Sequence, residues 1–460
     1  MTDGLVSMRV RGLGSLADVT LEPGRLTVLI GPNGAGKSNV LRALALIPKL
    51  RTRSLQREIG EGGGAAAWLH RGPKQTPVMT LECEFQEGDR RNGYRAELGV
   101  AAGDRLLFLE ESVWDQPVGG ARKERSLGTG HWESLLADMN DDITTKSMNS
   151  WLSKMTFYHF HDTSANSALR QHSRPAEDRF LRSDGSNLAS YLARLERGEE
   201  SGDGIAWRRI NQLVHGIVPA IKQLRPTLVS NQSVRLDWID DRDEVYGVHQ
   251  LSDGSLRAIA LITALAQPKQ QLPKFMSIDE PELGLHPAAL TMVAELARSI
   301  ARDCQVLFAT QSTAFLDHFD PGEVVVVERE EGKSTLRRLE VEALDSWLED
   351  YSLSEIFDKG VIGGLEEHGG VADTRIRCEL REDSLAQRFE DWRFVPYVQR
   401  HEFEALVLAS LASLRELLDA QDALEGWQAL HEEVSGLAPE DVNEGRATAP
   451  SKRLLARIPG

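Results

Sequence analysis

The segment 31–38, GPNGAGKS, combines the residue types that bind a chain of phosphates. Its glycines let backbone N–H groups turn toward an anion with no Cβ in the way. Lys37 can reach the β- and γ-phosphates of a nucleotide, and the hydroxyl of Ser38 can ligate Mg²⁺. We therefore predict a nucleotide-binding loop whose contact residues are Gly31, Pro32, Asn33, Gly34, Ala35, Gly36, Lys37, Ser38 and Asn39.

The residues on either side of this loop have the pattern that its chemistry requires. An apolar run at 26–30 precedes it, and apolar residues follow at helical spacing, at Val40, Leu41, Leu44 and Ile47. The order strand, loop and helix directs the positive N-terminus of the helix at the phosphates. The alternative is a glycine-rich turn that only matches the pattern, and that reading leaves both flanks unexplained.

Two acids, Asp279 and Glu280, follow a second apolar run at 275–278. A carboxylate at the tip of a buried strand beside the phosphate loop can hold Mg²⁺ through water, which is the role expected of Asp279. Glu280 can then orient and polarise an attacking water molecule. The alternative is that both acids only keep the end of the strand solvated.

A third apolar run, 306–309, leads into Thr310, Gln311 and Ser312. A polar side chain directly after a strand next to the acidic one would face the γ-phosphate, and we assign that position to Gln311. Thr310 or Ser312 could instead serve only as a helix cap.

The segment 251–255, LSDGS, stands immediately before an apolar helix at 256–266. Ser252, Gly254 and the N-terminus of that helix together can form a second anion-binding surface. A polar turn that caps an ordinary helix has the same appearance, so this segment by itself supports both interpretations equally.

The chain has 460 residues and a formal net charge of −17 at pH 7. This length favours two or three domains. The excess of acids argues against sequence-independent coating of nucleic acid, because such binding neutralises phosphates with basic side chains. A local cationic cluster remains, either a phosphate-contacting surface or a solvated loop, and it contains Lys49, Arg51, Arg53, Arg57, His70, Arg71 and Lys74.

The sequence has no apolar stretch as long as a membrane span, and its N-terminus lacks the basic and apolar regions of a signal peptide. We therefore expect a cytoplasmic protein with no membrane partner. Cys83, Cys304 and Cys378 show no metal or redox spacing, so we expect reduced thiols.

Periodicity predicts the elements between these motifs. The segment 8–19 alternates like a hairpin, the segments 80–85, 94–100 and 105–110 like antiparallel strands, and 155–161 like an apolar strand. Two helical stripes follow, and we expect them to lie in the core: Leu188, Leu192 and Leu195, then Trp207, Ile210, Leu213, Val214 and Ile217. The whole region between the phosphate loop and the segment 251–255 contains no sustained heptads, which argues against the long coiled-coil arms of chromosome-maintenance ATPases.

The motifs at 31–38, 251–255, 275–287 and 306–312 resemble, in order and spacing, the ABC-type head of AAA-type ATPases related to OLD-family and RecF-like proteins. The resemblance covers about residues 1–360. It implies an α/β fold of the P-loop NTPase, ABC-ATPase type: a mixed β-sheet flanked by helices, an antiparallel β subdomain and a helical and β insert at about 49–250. The four segments then correspond to the Walker A motif, the signature motif, the Walker B motif with the loop after it, and the switch region.

By this resemblance the cofactors are ATP and Mg²⁺, and ATP lies between the Walker A motif of one head and the signature motif of another. The implied catalytic residues are Glu280, Lys37 and Gln311, and the implied metal ligands are Ser38 and Asp279. Ser252 and Gly254 would contact the nucleotide across a homodimer.

Three positions differ from the usual pattern of such heads. Asp253 stands where the signature motif usually has a glycine, and Ser255 where it usually has a glutamine. Gln311 replaces the usual switch histidine; its amide can bind a γ-phosphate but cannot change protonation near neutral pH. Asp162 is a candidate for the position of the Q-loop glutamine.

The glycines near 363–370 predict a linker at 361–372. The segment 373–460 resembles part of the TOPRIM-like partner protein encoded beside such ATPases, through RFVPYVQRHEFEAL and PEDVNEGRATAPSKRLLARIPG, so we expect a natural or truncated fusion with a small α/β segment. The acids of a TOPRIM nuclease are not recognisable there. His401, Glu402, Glu404, Lys452 and Arg453 are thus expected to belong to a fold remnant or a partner surface.

These expectations combine into an ATP-hydrolysing head that dimerises on ATP and controls a TOPRIM-like nuclease partner, with DNA as a candidate ligand, in phage defence or DNA processing. The biological setting comes only from the resemblance. The alternative is a nucleotide-gated scaffold or sensor with little intrinsic hydrolysis.

Overall fold

The computed structural model describes residues 3–139, 141–348, 351–358 and 362. The chain divides into two compact units, Met1–Leu339 and Glu340–Gly460. The predicted linker at 361–372 and the segment 373–460, with His401, Glu402, Glu404, Lys452 and Arg453, lie outside the described residues apart from Ile362. Their boundaries therefore stay predictions.

The first unit alternates strands and helices around two large sheets. Its strands are β1 (Gly4–Leu13), β2 (Leu16–Leu21), β3 (Leu26–Ile30), β4 (Val78–Glu87), β5 (Arg90–Ala101), β6 (Arg105–Pro117), β7 (Lys123–Gly128), β8 (Met155–Tyr158), β9 (Gln223–Ser230), β10 (Ser233–Ile239), β11 (Val245–Gly247), β12 (Phe275–Asp279), β13 (Gln305–Thr310), β14 (Val324–Glu330) and β15 (Lys333–Arg338). Its helices are α1 (Lys37–Arg51), α2 (Leu55–Glu61), α3 (Ala65–Trp68), α4 (Ile143–Ser153), α5 (Leu188–Arg197), α6 (Asp203–Ile217), α7 (Asp253–Leu265), α8 (Pro287–Ile300) and α9 (Thr313–Leu316). The described part of the second unit contains α10 (Val341–Leu348) and α11 (Leu353–Asp358).

The central sheet has the strand order β15-β14-β3-β13-β12-β8, and all of its strands are parallel except β15. Every residue of β3 and β13 is buried, which explains why the sequence shows continuous apolar runs there instead of alternation. Because β13 pairs with both β3 and β12, the carboxyl ends of these three strands lie along one edge of the sheet. That edge carries the phosphate loop, the acid pair and Gln311.

A second sheet is antiparallel, in the order β2-β1-β4-β5-β6-β7. It contains the predicted hairpin, in which Val10 pairs with Val19, and the three predicted strands, each longer than its apolar run indicated. A small third sheet, β11-β10-β9, lies in the region predicted as an insert. The fold is thus the predicted P-loop NTPase of ABC-ATPase type, a mixed α/β structure with an antiparallel sheet.

The predicted strand at 155–161 is too long. β8 ends at Tyr158, the last residue that pairs with β12. The next backbone N–H group, that of His159, donates to the carbonyl of Ser183 instead, so a loop replaces the ladder. This strand also lies inside the predicted insert but adds an edge to the central sheet.

The main core lies between the antiparallel sheet, helices α1 and α4, and one face of the central sheet, which contributes Leu29, Phe275, Leu307, Ala309 and Val327. Both predicted helical stripes are buried or partly buried, in α5 and α6. The longest described helices have 15 residues, so the described part of the chain contains no coiled-coil arm. It also contains no helix long and apolar enough to cross a membrane.

The buried side chain of Gln305, at the start of β13, joins the central sheet to the antiparallel one. Its Oε1 accepts from the N–H group of Leu5 (2.6 Å), and its Nε2 donates to the carbonyls of Leu5 (3.0 Å) and Gly24 (3.2 Å). A side chain that lacks these groups would leave buried backbone polar atoms without partners. Gln305 thus holds β1 next to the strand that carries Gln311.

We expect the substitution Gln305→Ala to lower the free energy of unfolding by about 2 to 3 kcal/mol, because it removes several buried hydrogen bonds and leaves their partners unpaired. Urea denaturation followed by circular dichroism measures this change. Gln270→Ala, the same substitution at an exposed position, is the control and should change stability by less than about 0.5 kcal/mol. Equal effects of the two substitutions would show that Gln305 does not join the sheets.

Candidate functional site

The loop between β3 and α1 contains glycines whose conformation and packing exclude larger residues. Gly34 and Gly36 have φ values of 82° and 116°, in the left-handed region that favours glycine. A Cβ on Gly36 would collide with the hydroxyls of Ser334 and Ser15, and one on Gly31 with the carbonyl of Val327. The glycines are therefore required by the path of the backbone and by close packing.

Two serines support the loop from behind. The Ser334 hydroxyl donates to the carbonyl of Ala35 (2.6 Å), and its oxygen also lies 2.6 Å from Ser15 Oγ. The side chain of Asn39 donates to the same Ser15 oxygen (2.8 Å), so its amide is held at the turn between β1 and β2. The predicted nucleotide contact of Asn39 remains a prediction, and the structure adds this supporting role.

Lys37 is the buried cation of the site, with 8 % of its surface exposed. Its ammonium group donates to the carbonyls of Gly31 (2.6 Å) and Pro32 (3.1 Å). Burial lowers the pKa of Lys37, and the carboxylates of Asp279, Glu280 and Glu282 oppose that shift. The three acids are therefore within electrostatic reach of the lysine, although more than 240 residues separate them from it in the chain.

Asp279 is the last residue of β12, and Glu280 begins the loop that follows. Glu280 has a φ of 44°, and its N–H group donates to the carbonyl of Ala309 at the end of β13 (2.7 Å). A non-glycine residue in this conformation is uncommon and stores strain that the surrounding structure must offset. The loop therefore turns sharply at the residue predicted to be catalytic.

His161 lies against both carboxylates, which the sequence did not predict. Its Nε2 is 3.6 Å from Asp279 Oδ2, and its Nδ1 is 3.3 Å from Glu280 Oε2. The nearby carboxylate of Asp279 raises the pKa of His161, against a smaller lowering by burial. Asp162, our candidate for the Q-loop position, is exposed and accepts from the N–H group of Ser164 (3.0 Å), so the side chain beside the acids is that of His161.

Gln311 follows β13 at the same edge, and its N–H group donates to Glu282 Oε1 (3.2 Å). The hydroxyl of the buried Thr310 accepts from the N–H group of Ser312 (2.9 Å), so Thr310 supports the turn after β13, although neither Thr310 nor Ser312 caps α9 with its side chain. The backbone of Gln311 is thus tied to the acidic loop after β12. Sequence analysis had assigned no role to Glu282 beyond membership of that loop.

Ser252 and Gly254 lie at the start of α7. Ser252 caps this helix by accepting from the N–H group of Ser255 (3.1 Å). This contact agrees with the interpretation of the segment as a polar turn that caps a helix. A Cβ on Gly254 would collide with the carbonyl of Gly284, so the start of α7 packs directly on the loop after the acid pair. The role of both residues toward a nucleotide across a dimer remains a prediction.

Arg257 is the charged residue of the buried stretch 256–265 of α7, and only 7 % of its surface is exposed. It donates to the carbonyls of Phe160 (2.9 Å), His161 (2.8 Å) and Leu283. Burial lowers its pKa. Arg257 therefore joins α7 to both the His161 segment and the acidic loop. In the sequence, a single charged residue within the apolar run 256–266 is the signal that indicates such a buried role.

The cationic cluster predicted near the loop is largely engaged in structure. Lys49 and Arg57 each lie 3.3 Å from Glu58, and Arg53 pairs with Asp138. These contacts favour the solvated-loop reading over a phosphate-contacting surface.

The described residues contain no group of three or more His, Cys, Asp or Glu side chains arranged to hold a metal ion. Mg²⁺ in nucleotide sites takes only one or two protein oxygens and completes its shell with phosphate and water. The carboxylate of Asp279 and the exposed hydroxyl of Ser38 are oxygen donors of the right kind, so the residues present suit Mg²⁺.

A family model described as "AAA domain, putative AbiEii toxin, Type IV TA system" matches residues 26–130 and 153–317, which include all four motifs. The chain belongs to this AAA family. A second model, described as "Domain of unknown function (DUF4276)", matches residues 366–460. That match gives no support to a TOPRIM-like segment, and the resemblance stays a prediction.

Solved structures similar to this AAA protein include SMC heads. The Smc head bound to the C-winged helix domain of ScpA is 15% identical, with a TM-score of 0.51, over 75% of this chain and 99% of that one. The Smc head with an extended coiled coil from Pyrococcus furiosus, bound to the C-terminal domain of ScpA, is 14% identical, with a TM-score of 0.47, over 76% and 99%. The first of these supports the ABC-ATPase fold. No curated protein matches the chain.

We expect Gly36→Ala to reduce affinity for ATP far more than Gly34→Ala does. Both residues have positive φ, so both substitutions strain the backbone by about 1 to 2 kcal/mol. Only at Gly36 would the new Cβ also collide with Ser15 and Ser334, whereas nothing lies within 4 Å of it at Gly34. Calorimetric titration with ATP and Mg²⁺ compares the two variants, and equal losses would refute the packing argument.

Proposed function

We propose that this AAA-family chain binds ATP with Mg²⁺ and hydrolyses it. The observation that carries the proposal is the approach of three separate chain segments at one sheet edge, where the carboxylates of Asp279 and Glu280 lie within electrostatic reach of Lys37. Phosphoryl transfer depends mostly on positioning and on charge stabilisation, and this edge supplies both signs of charge.

In this proposal Lys37 and the backbone of the loop hold the phosphates, and Ser38 and Asp279 would hold Mg²⁺, which would neutralise charge on the phosphate oxygens. Glu280 accepts a hydrogen bond from the attacking water and orients it. Gln311 donates its amide to the γ-phosphate. His161 lies close to both carboxylates and restricts the rotation of their side chains.

We further propose that two heads associate on ATP, with Ser252 and Gly254 of one head facing the nucleotide of the other. The support is the start of α7, where a serine-capped helix of 13 residues packs by Gly254 onto the loop after the acid pair. Such closure would control an effector, for which we propose a nuclease partner and a role in phage defence or DNA processing.

The alternative function is a nucleotide-gated scaffold that holds ATP with little turnover. The acidic Asp253 in the signature segment and the amide of Gln311 in the switch position favour it, because both depart from the usual hydrolytic pattern. Phosphate release by the purified chain, measured with and without DNA, separates these functions. Release well above background supports the ATPase, and ATP binding without release in both conditions supports the scaffold.

We expect Glu280→Gln to retain ATP binding and to lower steady-state hydrolysis at least about 100-fold, because it removes the base but keeps the size of the side chain. Phosphate release measures turnover, and calorimetry measures binding. Glu295→Gln, at an exposed position on α8, is the matched control and should hydrolyse ATP normally. Undiminished hydrolysis by Glu280→Gln would remove Glu280 from its proposed role.

The same variant tests association, because suppressed turnover should hold the ATP-bound form. We expect sedimentation velocity to show a monomer without nucleotide and a dimer with ATP and Mg²⁺. Lys37→Ala added to Glu280→Gln should abolish this shift, since the buried ammonium is the cation of the phosphate site. A sedimentation coefficient independent of ATP would refute the dimer.

A further inference from the structure

The signature segment contains an electrostatic conflict, because Asp253 places a carboxylate where the proposed function requires an anion-binding surface. Its side chain is 67% exposed. A negative charge beside a triphosphate is repulsive, and the repulsion increases as water is excluded between the two groups. A functional surface of this kind needs a compensating cation.

The cation next to Asp253 is Arg170, which lies in a single 3₁₀ turn, Ala168–Arg170, far away in sequence. Its Nη2 donates to Asp253 Oδ1 at 2.8 Å. In contrast to its partner, the side chain of Arg170 is only 6% exposed. The pair therefore consists of a buried guanidinium that reaches out to an exposed carboxylate.

The remaining donors of Arg170 bind backbone carbonyls in two loops, the one before α7 and the one after His161. Nη1 donates to the carbonyl of Val248 (2.7 Å), Nη2 to that of Leu251 (3.1 Å), and Nε to that of Thr163 (2.8 Å). Two of these carbonyls lie directly before α7, and the third lies in the loop that follows His161. One side chain thus fixes the path of the signature segment.

Two positively charged side chains lie near Asp253, one from another element and one from α7 itself. Arg170 approaches from its 3₁₀ turn, and Arg257 on α7 is close enough for Asp253 to raise its pKa against the lowering by burial. The carboxylate also lies in the first turn of α7, where the helix dipole favours negative charge. Of these groups only Arg170 donates directly to the carboxylate.

We propose that Arg170 is a positioning residue that neutralises Asp253 and holds the segment 251–254 in the form that accepts the nucleotide of a second head. This inference rests on the proposed function, because it concerns the association of heads on ATP. It assigns a role to Asp253, which stands where the signature motif of such heads usually has a glycine.

The test uses the Glu280→Gln chain as parent and measures its association constant with ATP and Mg²⁺ by sedimentation. Arg170→Met, which removes the charge, should weaken association about tenfold or more, the size expected for a lost charge-assisted hydrogen bond. Asp253→Asn in the same chain should recover the part of that loss that comes from the unpaired carboxylate, which we expect to be about threefold, the size of a weak charge interaction. Arg182→Met, at a surface pair with Glu177, is the control.

A purely structural role for Arg170 predicts a different result. The free energy of unfolding in urea falls under either role, because Arg170→Met leaves three backbone carbonyls without their donor. Under a purely structural role, however, Asp253→Asn would fail to rescue the association of Arg170→Met, and that finding overturns the proposal. Failure of the parent to associate on ATP overturns the proposed dimer together with this inference, whereas normal association of Arg170→Met overturns only this inference.

The single variant Asp253→Asn gives a test that does not depend on the folding of Arg170→Met. It leaves the charge of Arg170 uncompensated, so association on ATP should tighten about threefold at low salt and approach that of the parent at 1 M salt. Weaker association at low salt would show that the carboxylate itself contributes to the interface, and would overturn the neutralising role.

Discussion

The site depends on opposite charges that are held apart by one strand. β13 separates the strand of the phosphate loop from the strand of the acids, and the parallel direction of all three brings their ends to one edge. Lys37 is buried there against backbone carbonyls, and the nearby acids offset part of the cost of its burial. The positive charge of Mg²⁺ complements the acids, and the negative charge of a triphosphate complements Lys37.

Around this edge, buried or partly buried polar side chains connect loops that have no strand ladder between them. Arg257 joins α7 to the segment of His161 and to the acidic loop, and Glu282 joins that loop to the backbone of Gln311. Arg170 does the same before α7. Because a buried guanidinium must keep its hydrogen bonds, each of these contacts restricts how a loop can move independently of its neighbours.

The antiparallel sheet contributes to the site by supporting it. Ser15, in the turn between β1 and β2, contacts both Asn39 and Ser334 behind the phosphate loop, and Gln305 ties β1 to the start of β13. The shape of the loop is therefore set by elements from both sheets. This explains why Gly36 is crowded although the loop itself opens to solvent at Gly34.

The sequence alone determined the fold class and predicted the main site residues, because the phosphate loop, the acid pair and the start of α7 are short contiguous motifs whose chemistry requires fixed spacing. Tertiary structure decided the rest. β8 ends early because Ser183, remote in sequence, accepts the next N–H group. His161, Glu282 and Arg170 acquire their contacts from strand order and loop packing, which join residues far apart in the chain, and local periodicity carries no information about such pairs.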